Sequence, residues 1–351
     1  MEINMPHEHV AARTALVLET NNLRGGADLD AAGASLLHVI GLLAQQSVAL
    51  SVLAQVVVTH DGLCERIRTN AERLAGRSID FVRINASTGY YQAKNDGFDA
   101  VHADRCDYVC FADADCEPEQ DWIEQLIAPL TDAAPPAVVA GRTSYAPTVA
   151  GIALTTIDFM YFPSRLQARA TRNFYANNVV FLREMFAQYR YQPLDGVYRA
   201  HCQVLGLRLQ AAGVALHYAA RAHTEHKLPD TRFELLKLRW LRGQDTVGLT
   251  PHLVRTYLPR SMQWLSHSGP IGPLCVLTAR LWYSLRALNH QDAAPVRGLR
   301  WVSAVALIGI FSGLDMLGAL CRGLGIHSAA AEGADAQSLS YHERSPREPL
   351  P

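Results

Sequence analysis

The chain has 351 residues, 49% hydrophobic and 19% charged, a composition that excludes a disordered or fibrous protein and leaves room for one large α/β domain or two smaller ones. Lys and Arg number 32 against 33 Asp and Glu, so the basic excess of a general nucleic-acid binder is missing and no nucleic-acid partner is expected. The seven Cys are an odd number with no CxxC pair, which argues against a disulfide scaffold or a Cys-rich zinc module and fits a reducing compartment.

Met1–Arg13 carries His and Glu and no apolar core, so no signal peptide is expected there. Thr14–Glu19 (TALVLE) reads as a strand, and Asp28–Gln46 as a helix with Leu36, Ile40 and Leu43 on one stripe. Gln55–Thr59 (QVVVT) is β-branched and runs into His60-Asp61-Gly62, the pattern of a buried strand ending in a turn. A helix over Arg66–Leu74, a strand over Ile79–Ile84 and a helix over Tyr90–Ala103 follow. Tyr108–Phe111 is the next strand, Glu119–Leu130 the next helix, and Ala137–Ala140 a strand ending at Gly141. Repeated strand–helix–strand units predict a mainly parallel sheet with helices on both faces, and such sheets bind ligands at the carboxyl ends of their strands.

The balance shifts after about residue 236. Lys237 to Arg300 holds nine Lys and Arg and two acids, Asp245 and Asp292. Leu274, Leu277, Leu281, Leu285 and Leu288 recur there at helical spacing, with Arg280 and Arg286 between them, as in a core-facing helix or one lying on an anionic membrane surface. Trp301–Leu320 offers 20 residues with one charge, Asp315, which is long enough to cross a bilayer. A carboxylate at mid-membrane is costly, so the alternative is a buried C-terminal helix. Gly309 and Gly313 form a small-xxx-small pair, a hint of helix packing. Ser328–Pro351, rich in Ala, Ser, Pro and charge, reads as a disordered tail. The expected organisation is therefore an α/β catalytic domain over 1–245, a helical, membrane-associated region over 246–327 and a tail over 328–351.

The most informative stretch is Tyr108-Val109-Cys110-Phe111-Ala112-Asp113-Ala114-Asp115-Cys116-Glu117-Pro118. An apolar strand runs straight into two carboxylates. Alternate residues of an extended chain share a face, so Asp113 and Asp115 can address one ligand. Hard oxygen donors at a sheet edge suit Mg²⁺ or Mn²⁺ bridging a diphosphate, although an acidic turn after a strand has the same sequence. Other segments stand around this pair in a particular order. They are Val17-Leu18-Glu19-Thr20-Asn21-Asn22, His60-Asp61-Gly62, Tyr90-Tyr91-Gln92-Ala93-Lys94-Asn95-Asp96-Gly97, Arg142-Thr143, and Asn173-Phe174-Tyr175-Ala176-Asn177-Asn178-Val179-Val180-Phe181-Leu182-Arg183. Further on come Leu216-His217-Tyr218-Ala219-Ala220-Arg221-Ala222-His223-Thr224-Glu225-His226 and Arg239-Trp240-Leu241-Arg242-Gly243.

With that order and spacing, Thr14 to Gly243 resembles a family-2 glycosyltransferase of the GT-A type, in which a Rossmann-like sheet holds a nucleotide-sugar. The resemblance implies that Glu19, Asp61 and Lys94 hold the nucleotide. Asp115 and His226 hold the metal, with Asp113 near the ribose or in the metal shell. The spacing from Tyr218 and Ala222 favours His226 over His223. Asn177, Asn178 and His201 face the sugar and acceptor, and Arg239 and Arg242 neutralise phosphate or belong to the basic strip. Each has a plainer structural reading: Glu19 and Asp61 as caps, Lys94 as a solvated helix lysine, Asn177 and Asn178 as turn residues.

The chain departs from the family at the base. In His201-Cys202-Gln203-Val204-Leu205-Gly206-Leu207-Arg208-Leu209, the frame of Leu205, Arg208 and Leu209 is kept, but His201-Cys202 stands where the family has an acidic pair. Inverting transfer needs a base for the acceptor hydroxyl, and a neutral imidazole can serve. His201 is the candidate and Asp195 the alternative. The resemblance implies metal-dependent, inverting transfer from a nucleoside diphosphate sugar to a lipid-linked, polysaccharide or other glycan acceptor, and the amphipathic and apolar C-terminal segments with their basic flank are expected to keep the site at the cytoplasmic face of the membrane. A nucleotidyltransferase, or a non-catalytic nucleotide-sugar-binding protein, are the alternatives.

Overall fold

The computed structural model describes residues 6–20, 29–164, 166–194, 197, 199–229, 231–289 and 296–326. Asn21-Asn22, Asp195, Asp292 and the tail over 328–351 lie outside the described residues. Among the described residues the chain forms two compact units, the first within 1–86, 90–192 and 201–228, the second within 87–89, 193–200 and 229 onward.

The first unit opens with helix α1 (Pro6–Ala11), strand β1 (Thr14–Glu19), helix α2 (Leu29–Leu43), β2 (Gln55–His60), α3 (Glu65–Ala75) and β3 (Asp80–Arg83). It continues with α4 (Tyr90–Asp99), β4 (Tyr108–Asp113), β5 (Cys116–Pro118), α5 (Trp122–Ile127), β6 (Val138–Tyr145) and α6 (Val149–Asp158). β7 (Ala170–Thr171), β8 (Asn178–Leu182), α7 (Arg183–Tyr189), α8 (His201–Ala211) and β9 (Leu216–His226) complete it. The strands form one sheet in the order β3-β2-β1-β4-β8-β6-β9-β5, with β7 against β9. β3, β2, β1 and β4 are parallel neighbours, as the repeated strand–helix–strand pattern predicts. β8 then runs antiparallel between β4 and β6, and β6 and β9 are again parallel.

Strand alternation builds a core on each face. Leu16, Leu18, Val56, Val58, Cys110 and Ala112 point to one side, where they pack with residues of α2, α3 and α5. Val17, Val57, Val109 and Phe111 point to the other, against Phe98 of α4, Phe186 of α7 and Leu205 and Leu209 of α8. β1 and β2 are buried along their whole length, which is why their sequences are continuous apolar runs. On α3, Ile67, Ala71 and Ala75 recur every four residues and form its buried face, and Gly76 ends the helix at φ +65°. α4 stops at Asp99, short of the expected Ala103, because Gln55 takes over the next backbone groups: its Nε2 donates to Ala100 O at 2.9 Å and its Oε1 accepts from His102 N at 2.9 Å. α4 also lies close on the sheet, since a Cβ at Gly97 would sit 2.6 Å from Val17 Cγ1. β6 runs past Gly141 to Tyr145 because β9 continues beside it, across a register shift between Gly141 and Arg142.

The second unit is helical, with α9 (Arg232–Tyr257), α10 (Ile271–Ala287) and α11 (Gly298–Gly323). α9 begins in a reciprocal cap, Thr231 with Glu234, and runs through residue 245 without a break. α9 and α11 approach at glycines: a Cβ on Gly243 would lie 2.1 Å from Asp315 O, and one on Gly318 would lie 2.3 Å from Trp240 O. Gly309 and Gly313, the pair that suggested packing, face open space among the described residues. The buried stripe of α10 carries Val276, Leu277, Arg280 and Ser284, so Arg280 belongs to the packed face and not to a polar one. The reason is Asp315, which is fully buried on α11. Arg239 Nε and Nη2 donate to its two oxygens at 3.0 and 2.5 Å, and Arg280 Nη2 donates to Oδ2.

Candidate active site

The carboxyl ends of the parallel strands bring the first set of predicted residues together. Glu19 ends β1 and lies in register with Thr59 of β2 and Asp113 of β4. Asp61 follows β2 and is half-buried. The turn after β4 is held from several sides. Ala114 N donates to Glu19 O at 3.0 Å, Ser35 Oγ of α2 donates to Ala114 O at 2.7 Å, and Lys227 N donates to Asp115 O at 3.0 Å. The backbone of this turn is therefore held by the fold from both sides.

The two aspartates divide. Asp113 is 2% exposed: its Oδ1 accepts from Lys94 Nζ at 2.5 Å and its Oδ2 from Tyr90 OH at 2.7 Å. Burial raises the Asp113 carboxyl above its usual range, against the opposing pull of the Lys94 ammonium. Lys94 is itself fully buried and also donates to Ala112 O at 3.1 Å, so neither a solvated lysine nor one open to a phosphate describes it in this structure. Asp115 turns the other way. Its Oδ2 lies 3.6 Å from His226 Nε2 and its Oδ1 lies 3.5 Å from Cys116 Sγ. Asp115, Cys116 and His226 each offer a ligand atom, and these atoms lie within 4.8 Å of one another. Asp113 is not among them.

The sheet register explains the trio. β5 runs antiparallel to the end of β9, which sets Cys116 opposite His226. His226 Nδ1 lies 2.8 Å from Lys227 O, an atom that can only accept. Nδ1 therefore carries a proton, and Nε2 is the ring nitrogen that faces Asp115. Tyr145 and Phe159 pack against the same ring, at 5.5 and 5.7 Å between centroids. A carboxylate, an imidazole and a thiol in one half-buried cluster suit a divalent cation. His223 is engaged elsewhere, with Nδ1 at 2.5 Å from Glu119 Oε1 and Nε2 at 2.8 Å from Ser144 Oγ. Cys116 is the residue that the sequence did not single out. It stands directly after Asp115, and burial pushes its thiol well above the usual range.

The Asn pair separates as well. Asn177, 5% exposed, donates from Nδ2 to Cys116 Sγ at 3.2 Å and accepts from Thr143 Oγ1 at 3.2 Å, which places it beside the trio. Asn178 is fully buried as a clasp: Nδ2 donates to Arg142 O and Ala222 O at 2.9 and 3.0 Å, and Oδ1 accepts from Trp122 Nε1 at 2.9 Å. His201 opens α8 with its ring stacked on Tyr91 at 4.3 Å and only 6% exposed, and Cys202 Sγ lies 3.5 Å from Tyr91 OH. Arg239 sits in the second unit on Asp315, not on a solvent-facing basic strip, and it is fully buried. His60, next to Asp61, accepts from Gly62 N and Leu63 N at 3.2 and 3.1 Å through Nδ1, and its burial lowers its pKa to about 4.

This sheet order, with acids at the strand ends and helices on both faces, is the GT-A fold of glycosyltransferases. The mannosyltransferase PcManGT from Pyrobaculum calidifontis, solved in complex with GDP-Man and Mn²⁺, shares it at a TM-score of 0.52 and 16% identity, over 92% of this chain and 87% of that one. Two looser similarities are GalNAc-T7 with UDP, GalNAc and Mn²⁺ (TM-score 0.46, 15% identity, 62% of this chain and 44% of that one) and S. aureus TarS 1-349 in complex with UDP-GlcNAc (TM-score 0.46, 11% identity, 89% and 92%). No curated protein sequence matches the chain. Residues 42–196 match the family model described as Glycosyl transferase family 2.

Proposed function

We propose that the protein transfers a sugar, with inversion, from a nucleoside diphosphate sugar to a hydroxyl acceptor at a divalent-metal site. The observation that carries this reading is the Asp115–His226 pair at a sheet edge, with Asp115 inside the matched family domain and Nε2 of the imidazole facing its carboxylate at 3.6 Å. The GDP-Man and Mn²⁺ bound to the Pyrobaculum mannosyltransferase, which has the same fold, support the donor class and the metal. Asp115 and His226 would hold Mn²⁺ or Mg²⁺. When bound, the ion supplies a Lewis acid for the departing diphosphate. Asp61, half-buried after β2, faces the nucleotide, while Glu19, fully buried at the end of β1, supports the strand end. The Lys94–Asp113 pair holds the strand end in place, and Asn177 borders the donor sugar.

For the base, the burial of His201 against Tyr91 shifts the proposal to Asp195, with His201 as a packing residue. Asp195→Asn is expected to cut transfer by on the order of 10²–10⁴-fold, and His201→Phe, which keeps a stacked ring, far less. If His201→Phe matches that loss, the imidazole is the base. Asp115→Ala tests the metal site: affinity for a nucleoside diphosphate in Mn²⁺ is expected to collapse while the melting temperature holds. The departure from the family's acidic pair also favours a second reading, a binder without turnover, which would show donor affinity with no release of diphosphate.

The acceptor is proposed to be membrane-borne. α11 is the one described helix long and apolar enough to cross a bilayer. Ala304, Ile308, Phe311, Asp315 and Gly318 form its buried face, while Leu299, Val302, Ile310 and Leu317 are exposed. Apart from Leu74 and Leu166, every exposed large apolar side chain among the described residues lies in the second unit, Phe233, Trp264 and Trp282 included. The Asp315 carboxylate faces Arg239 and Arg280 and leaves the exposed side chains from Trp301 to Leu320 uncharged. The basic residues before Trp301 suit a cytoplasmic flank. Full-length chain is expected to float with vesicles, and a variant with Leu299, Val302, Ile310 and Leu317 changed to Ser is expected to stay in the soluble fraction. Equal flotation of both would refute the membrane role of this face.

A further inference from the structure

We propose that Cys116 is a third protein ligand of the metal site, so that the centre is a mixed oxygen, nitrogen and sulfur site. The proposal rests on Asp115 and His226 as metal ligands and adds the thiolate. Two ligands bonded to one ion at about 2.0–2.3 Å and roughly tetrahedral angles stand roughly 3.3–3.6 Å apart. Asp115 Oδ2 to His226 Nε2 is 3.6 Å, and Asp115 Oδ1 to Cys116 Sγ is 3.5 Å. The first is long for a hydrogen bond through nitrogen, and the second is also the length of an S–H···O hydrogen bond from the free thiol. They have the spacing of adjacent ligand positions.

Further features support the thiol as a ligand. Cys116 is 3% exposed and lies opposite His226 in the β5–β9 ladder, so its position is set by backbone pairing. Asn177 Nδ2 donates to its sulfur at 3.2 Å, a bond that a thiolate accepts more strongly than a thiol. On metal binding the sulfur–metal bond replaces the S–H bond, and the proton leaves to solvent. A thiolate in the set changes the metal preference. Soft sulfur favours Zn²⁺ and Co²⁺ over Mg²⁺ and Mn²⁺, which suit oxygen donors. The chain would therefore prefer Zn²⁺ and Co²⁺ where a pure carboxylate edge would accept Mg²⁺.

The test is a Co²⁺ titration of the full-length protein, read by absorption. Cobalt bound through a thiolate gives a sulfur-to-metal charge-transfer band in the near ultraviolet, and any protein-bound Co²⁺ gives visible ligand-field bands. The wild type is expected to show both. Cys116→Ser, close in shape and still able to accept from Asn177, is expected to keep its melting temperature and its visible bands, to lose the charge-transfer band, and to bind Co²⁺ at least about tenfold more weakly. Asp115→Ala is expected to lose both sets of bands, and Mg²⁺ at equal concentration should not displace Co²⁺ from the wild type. Visible bands that depend on Asp115, with no charge-transfer band in the wild type, would overturn the thiolate and leave the metal site standing. A charge-transfer band that persists in Cys116→Ser would overturn it as well. An absence of any Co²⁺ bands in the wild type would overturn the site and this ligand together.

Discussion

Lys94→Met keeps the length of the side chain and removes its charge. It leaves the Asp113 carboxylate, 2% exposed, with the Tyr90 hydroxyl at 2.7 Å and no cation at 2.5 Å. A buried ion pair stripped of one partner costs about 3–5 kcal/mol, because the remaining charge stays desolvated. For a unit of this size, that is a fall in melting temperature of roughly 6–20 °C. The loss depends on pH, with a definite sign. Burial raises the folded pKa of Asp113 above its unfolded value, and without Lys94 it rises further. The folded variant therefore holds a proton that the unfolded chain releases, so its deficit grows as pH rises above about 4 and is greatest near neutrality. Lys94→Met with Asp113→Asn removes both charges and is expected to recover most of the loss. The assay is thermal melting of the three variants at pH 5 and pH 7.5, with nucleoside diphosphate affinity measured on each. If Lys94→Met melts within about 1 °C of the wild type while nucleotide affinity collapses, Lys94 is a ligand contact and the buried-pair argument fails.

His60 gives a second pH dependence. Its folded pKa is lowered to about 4 by burial, so its stabilising neutral form is fully present above about pH 6.5 and is lost as pH falls toward 4, a loss of about 2 kcal/mol by pH 5. His60→Asn, whose Oδ1 can replace Nδ1 as the acceptor for Gly62 and Leu63, should flatten that part of the melting profile, and an unchanged profile would refute the assignment. Asp315→Asn leaves Arg239 and Arg280 buried beside a neutral amide and is expected to cost about 3–5 kcal/mol by denaturant unfolding, an effect that a surface carboxylate would not have. Trp122→Phe removes the donor to Asn178 Oδ1 and is expected to cost about 1–3 kcal/mol with donor affinity retained, since Asn178 acts as a clasp in this fold.

Local pattern was enough for the parallel half of the sheet. The runs at Thr14–Glu19 and Gln55–His60 are apolar throughout because both of their faces are covered, and the interposed helices show their buried stripes directly. The acids at the strand ends were legible for the same reason: Glu19 and Asp113 end their apolar runs inside the sheet, and Asp61 and Asp115 follow just beyond it. The insertion of β8 as an antiparallel strand was not legible, since Asn178–Leu182 has the composition of any buried strand and its direction is set by distant neighbours. Lys94 was ambiguous because its partner is 19 residues away on β4 and helix periodicity does not show that contact. Whether the helix that carries Arg280 faces a core or a membrane surface stayed open, because the carboxylate that accounts for the burial of Arg280, Asp315, is on another helix. Cys116 was passed over as one of several scattered thiols until the β5–β9 register set it opposite His226. The choice of His226 over His223 came from the resemblance and its spacing, and the hydrogen bonds of His223 to Glu119 and Ser144 could not be read from the sequence.

The most direct test of the account follows diphosphate release by the full-length protein from a panel of nucleoside diphosphate sugars, with Mn²⁺ or with a chelator, in the presence of vesicles carrying lipid-linked acceptors. The account predicts that at least one donor is turned over, that the chelator stops it, and that Asp115→Ala abolishes it at an unchanged melting temperature. Donor binding without turnover across the panel, or turnover indifferent to both the chelator and Asp115→Ala, would contradict it.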